Sequence, residues 1–112
     1  MTYGEIEAKV RLLVNDAQEP YRFSQYDVFG AIFDAVSHLR NINPAEMYGA
    51  EGLLDEEVPE PADGTDVRID RRHVEAVVKY AAHLVYQLDM SDTVNMQISE
   101  TLRTRAEALM QL

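Results

Sequence analysis

The chain of 112 residues has no cysteine and no tryptophan, only four prolines and five glycines, and half as many bases as acids. Without cysteine there is no disulfide framework, thiolate nucleophile, zinc ribbon or iron–sulfur cluster, so stability has to come from an ordinary apolar core. No apolar run approaches the roughly 20 residues that a membrane-spanning helix needs. The Thr-Tyr-Gly-Glu after Met1 is unlike a basic and then apolar signal segment. The expectation is a single globular domain over 1–112, soluble, made in the cytoplasm and without a membrane partner.

Bases are scarce, and their distribution is informative. The formal net charge is −10, and between residues 43 and 67 stand eight acids (Glu46, Glu51, Asp55, Glu56, Glu57, Glu60, Asp63, Asp66) and no base. One segment thus carries most of the excess. Gripping nucleic acid needs clustered Lys and Arg that release counterions, so this chain is expected to repel DNA rather than hold it.

Apolar periodicity predicts an all-α fold, a small bundle of about four helices near 3–15, 24–42, 70–88 and 91–111, with no internal repeat. Ile6, Val10, Leu13 and Val14 mark one face of the first helix. Ser24 and Asp27 suggest a capping box for the second, whose inner face is Phe29, Ile32, Phe33, Val36 and Leu39. Gly30 inside it implies close approach of another helix, because a mid-helix glycine costs roughly 1 kcal/mol against alanine. Residues 44–67 read as a long irregular acidic connection, with a short strand or hairpin near 67–69, and long loops without structure of their own are candidate contact elements. Asp70 offers a cap for the third helix, which is apolar except for the stripe Glu75, Lys79, His83 and Gln87 and is therefore expected to be central and mostly buried. On the fourth, Val94, Ile98, Leu102, Ala106 and Met110 recur every four residues, with Leu109 and Leu112 beside them.

Chemistry-bearing residues are few. His83 reads as a solvated histidine on the polar stripe, Asp34 and His38 as a surface pair one turn apart, and Asp70 with His73 as half of a di-iron motif that lacks its other carboxylates. Asp63, Thr65 and Val67 have the wrong chemistry for the first positions of a calcium loop. No phosphate-binding glycine pattern or nucleophile elbow is present. The expectation is therefore no enzyme activity, no metal and no cofactor. Arg68, Arg71 and Arg72 stand near a helix start, where the dipole disfavours cations, and are expected to pair with acids of this chain or of a neighbour. Arg103 and Arg105 fit a solvated face or an interface.

Three stretches carry a resemblance. Tyr21-Arg22-Phe23-Ser24-Gln25-Tyr26-Asp27-Val28-Phe29-Gly30-Ala31-Ile32, then Asp70-Arg71-Arg72-His73-Val74 leading into Val77-Val78-Lys79-Tyr80-Ala81-Ala82, and finally Leu88-Asp89-Met90-Ser91-Asp92-Thr93-Val94-Asn95 resemble, in order and spacing, the head–tail connector proteins of tailed phages, also called adaptor or head completion proteins. The resemblance implies a structural virion protein at the neck. Such a subunit forms a ring, typically twelve-fold, under the portal protein, receives a tail or nozzle (stopper) protein, and lets DNA pass through its channel without specific binding. A helix that stays apolar to its last residues is expected to dock on the portal or a neighbouring subunit, through Arg103, Arg105, Leu109, Met110 and Leu112. Asp55, Glu56 and Glu57 of the acidic connection are expected to meet Arg68, Arg71 and Arg72 of the next subunit. The alternative is a generic helical interaction module or assembly chaperone.

Overall fold

Four α-helices and two short 3-10 turns account for the regular structure of the computed structural model, which describes residues 1–47, 58–88 and 93–112. The first helix, α1 (Tyr3–Leu13), starts with a reciprocal cap. The Thr2 hydroxyl accepts from the Glu5 amide at 3.2 Å, and the Glu5 carboxylate accepts from the Thr2 amide at 3.1 Å, so two donors that a helix start leaves unpaired are both satisfied. It ends where Asn15 takes a left-handed φ of 58°, which lets the Asn15 and Asp16 amides donate back to the Leu12 and Arg11 carbonyls at 3.3 and 2.7 Å.

In α2 (Gln25–Ile42) Ser24 is the cap, accepting from the Asp27 amide at 3.1 Å; the return contact expected of the Asp27 side chain is not made. The inner face is Val28, Ile32, Ala35, Val36 and Leu39, all fully buried. A 3-10 turn, Pro44–Met47, follows α2 and packs back on it. After the connection, Asp70 caps a second 3-10 turn, Arg71–His73, by accepting from the Arg72 amide at 3.0 Å. That turn runs into α3 (Val74–Gln87).

As its composition predicts, α3 is central. It packs against α1, α2 and α4 (Thr93–Met110), and its small or β-branched residues Ala76, Val77, Ala81, Ala82 and Val85 are fully buried, which lets neighbouring helices come close. From α4 the residues Leu102, Ala106 and Met110 close the core, and the Asn43 side-chain amide donates to the Met110 carbonyl at 3.2 Å, tying the ends of α2 and α4 together.

The segment 58–67 is lashed to the start of α1 rather than hanging free. Main-chain bonds run from Tyr3 to the Thr65 carbonyl (2.9 Å), from Gly4 to that of Asp63 (3.1 Å) and from Val67 to that of Met1 (3.0 Å). The Tyr3 hydroxyl donates to the Pro59 carbonyl at 2.7 Å; burial pushes its pKa up to about 12, only partly countered by Arg40. The strand expected near 67–69 does not form among the described residues, where the pairing is a single antiparallel bridge between Thr2 and Asp66.

Two other expectations need correcting. Leu13 turns outward because α1 gives its inner face to Tyr3, Ile6 and Val10. Gly30 meets no other helix: a Cβ built there would have no heavy atom within 4 Å. The glycine with a steric reason is Gly4, whose Cβ would lie 3.0 Å from the Asp63 carbonyl oxygen, an atom that cannot retreat without stretching its bond to the Gly4 amide.

The two glycines therefore respond oppositely to alanine. Gly30→Ala should raise stability by about 0.5–1 kcal/mol through helix propensity alone. Gly4→Ala should lower it by about 1 kcal/mol or more through crowding. Urea midpoints at constant m-value check both.

Candidate functional site

Buried polar side chains sit where non-helical chain is fastened to the bundle. Arg11 is buried and donates to Asp16 (2.8 Å), Glu7 (2.9 Å) and the Phe23 carbonyl (3.0 Å), with its guanidinium 4.0 Å from the centre of the Tyr21 ring. Burial alone pushes the Asp16 carboxyl up, but the Arg22 and Phe23 amides (2.7 and 3.1 Å) and the Arg11 charge outweigh it and hold the carboxyl below its ordinary value. The loop between α1 and α2 is thereby fixed.

Glu46 does the same for the start of α3. It accepts from the Asp70 amide at 2.9 Å and from Nδ1 of the fully buried His73. The first member of the acidic run thus faces inward and belongs to the fold of its own chain. His73 is held by Glu46, while Asp70 is spent as a cap, so the two do not form half of a metal motif. Among the described residues no group of three or more potential ligands is placed to hold a metal ion.

His83 is the clearest correction. Expected in solvent, it is 3% exposed and lies between α3 and α4. Its Nδ1 lies 2.6 Å from the Ser99 hydroxyl and 3.0 Å from the Ser99 carbonyl oxygen. A carbonyl only accepts, so Nδ1 carries the hydrogen, and the Ser99 hydroxyl in turn donates to the His83 carbonyl at 3.0 Å. This is the reverse of a base activating a serine: the imidazole donates, and the hydroxyl proton points elsewhere. The polar stripe on α3 holds at Glu75 and Lys79, which pair at 2.7 Å, and at exposed Gln87, and fails at His83 because α4 covers it.

His38 does not pair with Asp34. Its ring stacks on Tyr80 (4.4 Å, 21° between planes), Tyr80 meets the edge of His83 at 5.2 Å, and His38 Nε2 lies 3.7 Å from Glu107. The apolar body of Tyr80 attracts the imidazole more effectively than exposed Asp34 does in water.

The residues expected at an interface separate into distinct groups. Arg103 is engaged along its own helix with Glu100 (2.6 Å) and Glu107 (3.4 Å), and Arg105 is exposed. Met110 is fully buried in the chain's own core and so is not left over for a partner as expected; Leu109 packs partly against that core, and Leu112 is 72% exposed. Arg71 and Arg72 are exposed, and Arg72 lies 3.9 Å from Asp70 of its own chain. Arg68 adopts a left-handed φ of 56°, with its amide donating to Asp66 at 2.7 Å. Asp55, Glu56 and Glu57 lie outside the described residues.

A groove of about 680 Å³ lies between α2 and α3, which the sequence pattern did not single out. Tyr26, Gly30 and Phe33 form its α2 side, and Leu84, Gln87 and Leu88 its α3 side. Tyr26 is 87% exposed and Leu88 58%. Asp27, Asp34 and Glu60 also line it, and no basic residue does. Its one sequence signal is a mid-helix glycine flanked by aromatics four residues before and three after.

No family model, curated protein or solved structure matches this chain. Its chemistry has to be argued from its own residues.

Burial is the largest influence on His83 and holds its imidazole below the ordinary 6.5, against the Ser99 carbonyl and the charges of Glu100 and Glu107, which favour the protonated form. Below pH 6.5 the unfolded chain takes up a proton there that the folded chain refuses, so this part of stability is present above 6.5 and lost as pH falls toward the folded value. Denaturant midpoints should decline from neutral pH toward about pH 5 more steeply in the parent than in His83→Gln. Parallel slopes would contradict the assignment.

Proposed function

We infer that this chain is a structural head–tail connector of a tailed-phage particle, a ring-forming adaptor that docks under the portal and receives a tail or nozzle protein. The observation that carries this reading is the ordered resemblance of three stretches to that family. The fold is compatible with it at the level of local structure. The first stretch spans the Ser24-capped start of α2, the second the Asp70-capped 3-10 turn that runs into α3, and the third includes the first residues of α4. Matching stretches that coincide with helix starts are what a shared helical framework requires, since caps and first turns fix where each helix begins.

The charge pattern supports a conduit role. A channel wall that carries excess acid does not trap a polyanion, whereas clustered bases would. The ring contacts then fall to the exposed cationic residues Arg71, Arg72 and Arg105, to Leu112, and to the acids 55–57. A purified mixture of the chain with its cognate portal protein tests the reading. Light scattering should report a complex larger than the portal alone, and averaged micrographs should show an added ring. Persistent monomers and a bare portal, across salt and protein concentration, would overturn it; a chain that assists assembly but is absent from finished particles would instead be an assembly chaperone.

Truncating much of α4 is a poor probe of docking, because Ala106 and Met110 belong to the core. The exposed pair Arg105→Glu with Leu112→Asp should leave helical content unchanged by circular dichroism and reduce incorporation into the portal complex about tenfold or more. If the acidic connection pairs with Arg71 and Arg72 of the next subunit, Asp55→Asn, Glu56→Gln and Glu57→Gln together should weaken ring assembly. The deficit should shrink as salt screens the parent contact; unchanged assembly with slowed DNA passage would place these acids on the channel wall.

A further inference from the structure

Gly30 stands near the middle of α2, costs helix stability, and has no neighbour that a Cβ would disturb. A mid-helix glycine with no neighbour against its missing side chain leaves a notch in the helix surface that a side chain from outside can fill. It lies on the groove between α2 and α3, where its missing side chain leaves backbone open between Tyr26, Phe33, Leu84 and Leu88. Tyr26 and Leu88 present large apolar surface to water, the signature of a contact site. Asp27, Asp34 and Glu60 surround this surface with like charge and no internal base.

We propose that the groove receives a peptide segment of another protein, one that sets an apolar side chain against Gly30 and flanks it with lysine or arginine. Charge complementarity selects this occupant. The chain's own residues 48–57 carry four acids and no base, and a second copy brings a net charge of −10, so both are electrostatically mismatched to an acid-lined groove. A basic segment with a leucine or aromatic anchor satisfies both features at once: the anchor fills the space over Gly30, and its cations neutralise the three carboxylates. This inference goes beyond the connector reading and does not rest on it.

The test pans a random peptide library displayed on a carrier against the full chain, then maps recovered peptides on the isotope-labelled chain by NMR. Recovered peptides should combine a leucine or aromatic residue with two or more bases, shift the amides of Gly30, Phe33, Leu84 and Leu88, and bind more weakly as salt rises. Gly30→Leu, which fills the groove from an exposed helix position, should weaken them about tenfold or more while circular dichroism stays that of the parent. The triple variant Asp27→Asn, Asp34→Asn, Glu60→Gln should weaken them to a similar degree and decides the matter if Gly30→Leu misfolds. Peptides lacking bases, or affinities untouched by these variants, would overturn the proposal. So would groove resonances that shift with concentration in the free chain, which would make a second copy the occupant. None of these readouts involves the portal, so failure here and failure of the connector reading are separable.

Discussion

Everything in this fold depends on covering α3. A helix apolar around most of its circumference is unfavourable in water, and this one has Ala76, Val77, Ala81, Ala82 and Val85 pointing in several directions at once. Three other helices each supply a stripe to cover it: Ile6 and Val10 from α1, Ile32, Val36 and Leu39 from α2, and Leu102, Ala106 and Met110 from α4. With no cysteine in the chain, this burial is the principal favourable term, at roughly 25 cal/mol per Å² of apolar surface removed from water. The alanines and valines of α3 matter as much for being small as for being apolar, since they let its neighbours approach closely.

The buried polar groups follow from the same constraint. Once the helices surround α3, the pieces joining them must be fastened without strands to help. Arg11 with Asp16 fixes the loop between α1 and α2, Glu46 with His73 fixes the entry to α3, and His83 with Ser99 locks α3 to α4. Each pair is buried in the bundle, and removing one partner would strand the other without compensation. Their role is positional. Helix starts and connections are held in register by charge-assisted bonds, and the sides of the bundle are left to apolar packing.

The helices were legible because their signals are local. Ser24 caps α2 where the sequence places a cap, whereas Asp70 caps the 3-10 turn ahead of α3 rather than α3 itself. Four-residue spacing located Leu102, Ala106 and Met110 on the buried face of α4 but also placed Ile98 there, which is 38% exposed because Ser99 takes the inward position opposite His83. What escaped was information carried between elements. His83 looks solvated on a wheel of α3 alone; only the arrival of α4 with Ser99 opposite makes it a core residue. Glu46 reads as one acid among eight until His73 and the Asp70 amide, far along the chain, converge on it. Met110 looked surplus because nothing local shows that α2 ends beside it. Gly30 was noticed for the right reason, its cost in a helix, but was assigned a packing role where the fold provides open space. Interface residues were the least legible, since exposure marks availability and does not identify a partner.

The central claim is that one chain covers α3 by itself and presents a finished surface rather than an incomplete core. Native-state hydrogen exchange on the dilute monomer tests this most directly. The account predicts that the amides of Val77, Ala81, Ala82 and Val85 exchange only through global unfolding, with protection matching the stability measured by denaturant and independent of protein concentration. Rapid exchange of α3 in the monomer, with protection gained only as copies associate, would contradict it and would place part of the core between subunits.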